Sequence, residues 1–262
     1  MVGLFALLGL ILGALINLLA DSLPRSRRPE MARCPSCGGP RPLAEWSALA
    51  SLWLGRGQCA YCGAGRSYRS YVVEVMAAAG AAGWWLARPE PWPLATGLLA
   101  GFVFLLIGVI DLEHRLILHI VSVPAAVLLG SLRALDPNQG PVKTLIGGAV
   151  GFGILLMMYL LGLVFSRVVS ARRGRPIDEV AFGFGDVMLG GVLGLTVGWP
   201  GIVVAVFLGI LAAGVFSLGL VLVHLARGRY SAFLAIPYGP FLLLGAAIVL
   251  YGGREAFQAV LD

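Results

Sequence analysis

Charged residues are scarce in this 262-residue sequence: Asp, Glu, Lys and Arg make up 12% of it, whereas hydrophobic residues make up 59%. An ordinary soluble domain carries about 25% charged residues. So little charge cannot cover the surface of a water-soluble globule, and the mean hydropathy of +0.91 agrees. The 37 glycines are typical of transmembrane helices, which use glycine for close contact. The composition predicts an integral membrane protein surrounded by a lipid bilayer.

The sequence also lacks several catalytic and nucleotide-binding signatures. It has three histidines, none within a His-Glu-x-x-His metal motif, and no Gly-x-Ser-x-Gly elbow, P-loop or dinucleotide fingerprint. The arginine-rich stretch 25–69 could suggest RNA binding, but its arginines do not alternate with aromatic residues in a pattern that would indicate stacking on bases. Because this stretch flanks a membrane segment, attraction to anionic lipid headgroups explains it better, and no nucleic-acid partner is expected.

Long apolar runs fill most of the chain. A helix needs roughly 20 apolar residues to cross the hydrocarbon core. The sequence therefore predicts an all-α, polytopic membrane protein with about eight transmembrane helices. These spans are 2–20, 71–87, 93–111, 116–133, 142–166, 187–199, 201–224 and 232–252. The first is expected to be a retained helix, since a basic n-region and a small-x-small cleavage site are both absent.

The basic residues are distributed unevenly among the predicted loops. If the N-terminus lies outside, 15 of the 19 Lys and Arg residues fall in inside loops and four in outside segments. Cytoplasmic loops of membrane proteins carry such an excess of positive charge. The distribution predicts that both termini lie outside and that the segment 21–70 is cytoplasmic.

All four cysteines lie within this predicted cytoplasmic segment, in the pairs Cys34-Pro-Ser-Cys37 and Cys59-Ala-Tyr-Cys62. Two C-x-x-C pairs separated by 21 residues are typical of two thiolate knuckles that bind one tetrahedral Zn²⁺. Each pair is followed by a glycine, which suits a tight turn. Because cysteine fills all four positions, we expect a structural zinc. Two disulfides are the alternative, which a reducing cytoplasm disfavours.

The sequence has only 13 carboxylates, so the candidates for acid–base chemistry can be narrowed by position. Nine fall in hydrophilic stretches: Asp21, Glu30, Glu45, Asp178 and Glu179 inside, and Glu90, Asp136, Glu255 and Asp262 outside. Four lie at or inside predicted membrane boundaries: Glu74, Asp111, Glu113 and Asp186. Ionisable groups at that depth are costly, so each of these four is a functional candidate.

Asp111 and Asp186 are expected to lie at the same depth. One predicted helix descends to Asp111, and another ascends from Asp186 directly after Gly183-Phe-Gly185. Two carboxylates a few Å apart can share one proton, so that one activates a water while its protonated partner polarises a scissile carbonyl. Two simpler roles stay open: Asp186 as a helix N-cap, and Asp111 as a helix-end residue paired with Arg115.

Taken in order, these motifs resemble those of the type IV prepilin peptidases, also called leader peptidase/N-methyltransferases. The similar segments are Gly13-Ala-Leu-Ile-Asn17 through Pro24, the two cysteine pairs, Ile110-Asp111-Leu112, Gly183-Phe-Gly-Asp186 and Ile236-Pro-Tyr-Gly-Pro-Phe241. The resemblance implies an intramembrane aspartic endopeptidase of the bacterial inner membrane. Such enzymes remove the basic leader of prepilins or pseudopilins at the cytoplasmic face, and many then methylate the new N-terminus with S-adenosylmethionine.

The resemblance also implies roles for individual residues. Asp111 and Asp186 would be catalytic, the four cysteines would bind zinc, and Gly57 and Glu74 would serve the methyltransferase cofactor. The residues with expected supporting roles are Gly183, Gly185, Pro237, Gly239 and Pro240. The implied division is a first transmembrane helix 1–20, a zinc-binding segment 21–70 and a peptidase core 71–262. Which pilin or pseudopilin is the substrate does not follow from these motifs.

Two segments depart from the family pattern. Leu118 and His119 occupy positions that usually hold Pro-Asp, and Arg69-Ser-Tyr-Val-Val-Glu74 replaces the usual Arg-Tyr-Pro-Leu-Val-Glu. Two other functions stay open from the residues alone. One is a non-catalytic scaffold or transporter with a zinc-stabilised domain, whose carboxylates relay ions or pack. The other is a related Gly-x-Gly-Asp protease that acts on other membrane proteins.

Overall fold

The computed structural model describes residues 1–42, 45–173, 183–227 and 237–252, and the regular structure in these ranges is helical. The helices are α1 Val2–Ser26, α2 Ala48–Trp53, α3 Tyr68–Ala87, α4 Pro91–His114, α5 His119–Leu135, α6 Gly140–Arg173, α7 Phe184–Val197, α8 Gly201–Ala226 and α9 Gly239–Tyr251. Two isolated β-bridges, Arg33–Pro40 and Gln58–Gly65, are the only extended pairings described there. The predicted all-α fold is confirmed.

Every predicted span overlaps one helix of the structure. Four helices, α1, α4, α6 and α8, are long and apolar enough to cross a membrane, and α5, α7 and α9 are shorter apolar helices. The multi-pass membrane protein is thereby confirmed, while the number of eight crossings stays a prediction. Residues 232–236 of the last predicted span lie outside the described residues, as do Ile236 of the C-terminal motif and Asp178, Glu179, Glu255 and Asp262.

The chain divides into two compact units, residues 1–110 and 111–262. In the first unit α1 packs against α3 over a surface that requires glycine. A Cβ atom on Gly13 would lie 2.7 Å from the Cα of Glu74, and one on Gly9 would lie 2.6 Å from the Cα of Ala78. Asp21 and Arg69 form an ion pair of 2.6 Å between the same helices. The domain boundary predicted at residues 70–71 stays a prediction.

In the second unit α7 packs against α5, α6 and α9. Its closest approach is to α6, through a glycine every fourth residue on each helix. A Cβ on Gly194 would collide with the carbonyl of Gly147, and a Cβ on Gly190 would lie 2.6 Å from the carbonyl oxygen of Gly151. Small residues at this spacing let two helix backbones approach closely enough for dense packing in a membrane.

Replacing Gly194 by Ala is expected to destabilise the protein, whereas Gly191→Ala is expected not to. Both changes add the same methyl group and the same gain in helix propensity, about 1 kcal/mol. Only the Gly194 methyl group meets backbone, whereas the one at Gly191 would meet Phe152 at an ordinary 3.6 Å. Overpacking should cost about 1–3 kcal/mol. The thermal unfolding midpoints of the two variants in detergent measure the difference, and equal midpoints would contradict the glycine contact.

Arg133 and Asp136 were expected in an outside loop, but the structure buries both, at 9% and 3% exposure. Arg133 Nη1 donates to Asp136 Oδ2 at 2.6 Å, and Arg133 Nε donates to the carbonyl of Thr196 in α7 at 2.8 Å. Gln139 accepts from Arg133 and donates to Thr144 at 2.9 Å. This polar network ties α5 and α6 to the end of α7, because each of these groups would be costly to bury alone.

Candidate active site and metal centre

Asp111 lies in the last turn of α4 and is only 5% exposed. The helix ends three residues later, at His114, and the next residue, Arg115, adopts a left-handed backbone (φ 53°) and donates its N–H to the carbonyl of Asp111. The described residues contain no ion pair between Asp111 and Arg115. Asp111 Oδ2 is buried and has no hydrogen-bond partner among these residues. Buried acceptors without a partner are rare in folded proteins, so this oxygen keeps Asp111 a candidate for a functional role.

Asp186 lies in the first turn of α7, where a negative charge favours the helix N-terminus. Its N–H donates to the Gly183 carbonyl at 3.1 Å, and its Oδ2 accepts from the Gly183 N–H at 3.0 Å. The capping role left open from the sequence is therefore present. It occupies one carboxylate oxygen, and Oδ1 accepts no hydrogen bond from the part of the chain that the structure describes. Capping fixes the carboxylate and leaves one oxygen available.

The two carboxylates come together at the beginning of α7 and α9. Asp186 lies close enough to Asp111 for their negative charges to repel. Gly185 packs on Ile117, where a Cβ would lie 2.9 Å from the Ile117 Cβ, and Gly239 packs on Asp111 Oδ2, which leaves no room for a side chain. The structure thus places Asp111 and Asp186 within electrostatic range of each other and two of the predicted supporting glycines near them, and the catalytic role of the two aspartates stays a prediction.

The other supporting residues frame the start of α9. Pro240 is in its first turn, where a missing N–H costs nothing, and Pro237 lies two residues before the helix. Leu118 and His119, the two departures from the family pattern, begin α5. The His119 ring stacks on Phe184, the first residue of α7, with centroids 6.2 Å apart. These substitutions therefore lie next to the segment that carries Asp186.

The four cysteines form one cluster in the first unit. The Sγ atoms lie within 4.8 Å of one another, with Cys34–Cys62 at 3.7 Å and Cys37–Cys59 at 3.8 Å. These distances exclude disulfides, which need about 2.05 Å. Four sulfurs placed tetrahedrally at about 2.3 Å from Zn²⁺ are separated by about 3.8 Å. The spacing of the cluster therefore fits one zinc ion.

Each cysteine pair has the same local backbone. Gly38 and Gly63 adopt positive φ values of 72° and 70°, and each donates its N–H to the carbonyl of the first cysteine of its pair. The amides of Cys37 and Ser36 lower the pKa of the Cys34 thiol to about 6, and those of Tyr61 and Cys62 lower the pKa of Cys59.

Cys62 differs from the other thiols. The Ala64 amide lowers its pKa, but the neighbouring thiols and burial outweigh this effect and raise the pKa to about 12. Such a value is expected for the last of four clustered thiols to ionise, because each thiolate formed repels the next. A cation at the centre would favour ionisation of all four.

Glu74 is fully buried in α3, and protein groups surround its carboxylate. Oε1 accepts from the Ala48 N–H at 2.7 Å and from Asn17 at 3.4 Å, while Oε2 accepts from Ser47 Oγ at 2.7 Å and the Leu49 N–H at 2.9 Å. The carboxylate thus binds the N-terminal amides of α2 and joins the cysteine-containing segment to α1 and α3. Its predicted cofactor role is not tested by these contacts and stays a prediction.

Glu74→Ala is expected to release α2 and to cost about 2–5 kcal/mol, because several buried donors lose their acceptor. Glu74→Gln keeps one acceptor oxygen and should cost less. Hydrogen–deuterium exchange of residues 45–53 reports the loss directly, and Glu90→Ala, at an exposed position, is the control. Unchanged protection of α2 in Glu74→Ala would contradict this docking role.

Gly57 lies between the two cysteine pairs, two residues before Cys59. A Cβ there would meet only Leu52 and Tyr71, at 3.6 and 3.8 Å, so packing does not demand glycine at this position. Its predicted methyltransferase role stays a prediction. Sequence reasoning missed Glu45, which was assigned to a solvated loop but is 6% exposed. The sequence carries no signal that would have revealed its burial.

Comparison with known proteins covers both groups of candidate residues. A family model described as the type IV leader peptidase family matches residues 98–218, which include both aspartates. A second, described as the bacterial peptidase A24 N-terminal domain, matches residues 7–87, which include the four cysteines, Gly57 and Glu74. No solved structure matches the chain significantly.

Several curated proteins named prepilin leader peptidase/N-methyltransferase are similar over most of the chain. The protein of Aeromonas salmonicida (strain A449) is 27% identical over 84% of this chain and 70% of its own length. The Pseudomonas aeruginosa protein is 25% identical over 98% of this chain and 92% of its own. The Bacillus subtilis (strain 168) protein is 24% identical over 96% and 95%, respectively.

Proposed function

Because the chain belongs to the type IV leader peptidase family, we propose that it cleaves the leader peptide of prepilins or pseudopilins with Asp111 and Asp186 as its catalytic pair. The observation that carries the assignment of these residues is the pairing itself. Asp111 presents a buried oxygen with no partner among the described residues, and Asp186, whose carboxylate is fixed by its cap on Gly183, lies within electrostatic range of it. Two adjacent carboxylates in a poorly solvated site favour a shared proton.

The proposed reaction needs only these two side chains and a water molecule. The ionised carboxylate removes a proton from the water, whose oxygen adds to the scissile carbonyl carbon. The protonated carboxylate gives its proton to the carbonyl oxygen, which produces a neutral tetrahedral diol. When the C–N bond breaks, a proton passes to the leaving amine, so the products are a carboxyl group on the leader and a free N-terminus on the pilin. A side chain at position 239 would collide with Asp111 Oδ2, so glycine is required beside this carboxylate.

The cysteine cluster supports a structural zinc site. Cys34, Cys37, Cys59 and Cys62 are all thiol ligands, so no coordination position is left for water, and the metal would hold the segment folded. The family relationship and the names of the relatives support a second activity, methylation of the new N-terminus by S-adenosylmethionine. We place Gly57 and Glu74 in that activity, with Glu74 acting by positioning α2 rather than by touching the donor.

The distribution of basic residues supports an inner-membrane location with the cysteine segment and both aspartates on the cytoplasmic side. The purified protein in detergent, incubated with a candidate prepilin with and without S-adenosylmethionine, tests both activities. Mass spectrometry of the pilin N-terminus should show loss of the leader in both samples and an added methyl group only with the donor. An intact leader would refute the peptidase, and an unmethylated product would refute the methyltransferase alone.

A further inference from the structure

A cavity of about 360 Å³ lies beside the second cysteine pair in the first unit, and its lining includes Arg41, Glu45, Cys59 and Tyr61. This volume is in the range of small-molecule sites, about 300–1,000 Å³. Arg41 and Glu45 are 8% and 6% exposed, so a cation and an anion are both buried at its wall. Tyr61, in contrast, is exposed and offers an aromatic ring at the rim.

Neither charged side chain forms a hydrogen bond or a salt bridge with another side chain in the part of the chain that the structure describes. Arg41 Nη1 is buried without a hydrogen-bond partner among the described residues. Glu45 is a buried residue whose carboxylate lies within electrostatic range of Arg66. Both backbones are nevertheless fixed, since the Arg41 N–H donates to Ala32 at 2.9 Å and the Glu45 N–H donates to Pro42 at 2.8 Å. Burying charged groups without partners is costly, so this arrangement points to a ligand that supplies both partners.

A neighbouring arginine also has buried donors without partners among the described residues. Arg66 lies within electrostatic range of both Arg41 and Glu45. Its Nη1 donates to the Trp46 carbonyl at 3.2 Å, while Nε and Nη2 are buried without a partner among the described residues. The cavity wall itself combines one guanidinium, Arg41, with one carboxylate, Glu45, and Arg66 adds positive charge nearby. Arg41 donates no hydrogen bond to a cysteine sulfur in the described part of the chain, so the thiolates do not account for it.

We propose that this cavity binds the amino-acid end of S-adenosylmethionine, a proposal that rests on the methyltransferase activity inferred above. A guanidinium binds a carboxylate through two parallel hydrogen bonds, so the α-carboxylate is placed against Arg41. The α-ammonium group is placed against Glu45, and Tyr61 offers a surface for the adenine ring. One buried cation and one buried anion in the same cavity match a zwitterion, whereas a simple anion would leave Glu45 unpaired.

Two ligands separate the amino-acid end from the nucleoside. S-adenosylhomocysteine carries the carboxylate and the ammonium group, and 5′-methylthioadenosine lacks both. In calorimetric titrations of the full-length protein, Arg41→Gln and Glu45→Gln should each lower the affinity for S-adenosylhomocysteine by at least about tenfold. Neither should change the affinity for methylthioadenosine. Arg56→Gln, an exposed arginine between the two cysteine pairs, is the matched control. Zinc content, measured for every variant, reports whether the segment remains folded.

The outcomes distinguish this site from the activity it serves. Equal losses for both ligands, or unchanged binding of S-adenosylhomocysteine with zinc retained, would overturn the site even if the wild-type protein methylates pilin. If Arg41→Gln loses zinc, Arg41→Lys is the second variant, because lysine keeps the positive charge without the paired donors. It should still weaken the binding of S-adenosylhomocysteine and leave that of methylthioadenosine unchanged. A wild-type protein that binds neither ligand and releases unmethylated pilin would refute the methyltransferase itself. A different result would also overturn the proposal. If phospholipid co-purifies with the wild-type protein but not with Arg41→Gln, and the wild-type protein does not bind S-adenosylhomocysteine, the occupant is a zwitterionic lipid headgroup.

Discussion

Asp111→Asn and Asp186→Asn are each expected to lower kcat/KM for leader cleavage by about 10²–10⁴-fold, the usual contribution of a positioned acid or base. Asparagine has the size of aspartate, but it neither accepts a proton from water nor donates one to the scissile carbonyl. The double variant should be about as inactive as either single one, because both residues serve one shared proton. The measurement is the initial rate of leader release from a purified prepilin, followed by mass spectrometry.

Asparagine is also the appropriate substitution on structural grounds. Asp186 Oδ2 accepts the Gly183 N–H, and an amide oxygen retains this cap, whereas Asp186→Ala would lose it at about 1 kcal/mol. Glu113→Gln is the matched control, because Glu113 is an exposed carboxylate two residues after Asp111. It should cleave at the wild-type rate. If a folded Asp111→Asn or Asp186→Asn protein retained most of the wild-type rate, the catalytic pair would have to be sought elsewhere.

The backbone fold could be predicted from apolar runs, but the ends of the helices could not. The first predicted span ends at residue 20, whereas α1 continues to Ser26 through Asp21 and Pro24. Hydropathy marks where side chains leave hydrocarbon, and a helix continues for as long as its backbone hydrogen bonds are made. In this last part of α1, Ser22 and Ser26 each donate a hydroxyl hydrogen bond to a carbonyl one turn earlier, so both polar side chains are accommodated within the helix.

The partners of buried polar residues could not be predicted, because hydropathy assigns every charge in a loop to solvent. Glu74 was identified by its depth, but the groups that donate hydrogen bonds to its carboxylate were not. One is the Ala48 N–H, 26 residues earlier in α2, and another is the Asn17 side chain in α1. The burial of Arg133 and Asp136 had a weak local signal, since opposite charges three residues apart often pair. Nothing local indicates that Thr196, 63 residues away, receives the Arg133 side chain. The two aspartates could be singled out as candidates because both adjoin apolar helices whose ends indicate their depth.

Loss of the cysteine cluster is expected to unfold the segment that contains it. The described part of this segment has one short helix, α2, and two β-bridges, so it has little core of its own. Zinc bound by four thiolates contributes about 10–16 kcal/mol in comparable small sites, which greatly exceeds the contribution of any single contact here. Each of the variants Cys34→Ser, Cys37→Ser, Cys59→Ser and Cys62→Ser should therefore lose the metal and the order around it.

The measurement combines elemental analysis with hydrogen–deuterium exchange. Wild-type protein should hold about one zinc per chain, as four thiolate ligands require. It should also protect the amides of Gly38 and Gly63, which donate within the two cysteine turns. In each cysteine variant the zinc should fall to background and both amides should exchange freely, while amides of α7 keep their protection because its contacts lie in the other unit. Ser36→Ala, within the first pair, should bind zinc normally. A cysteine variant without metal whose Gly38 and Gly63 amides stay protected would show that zinc is not what holds this segment together.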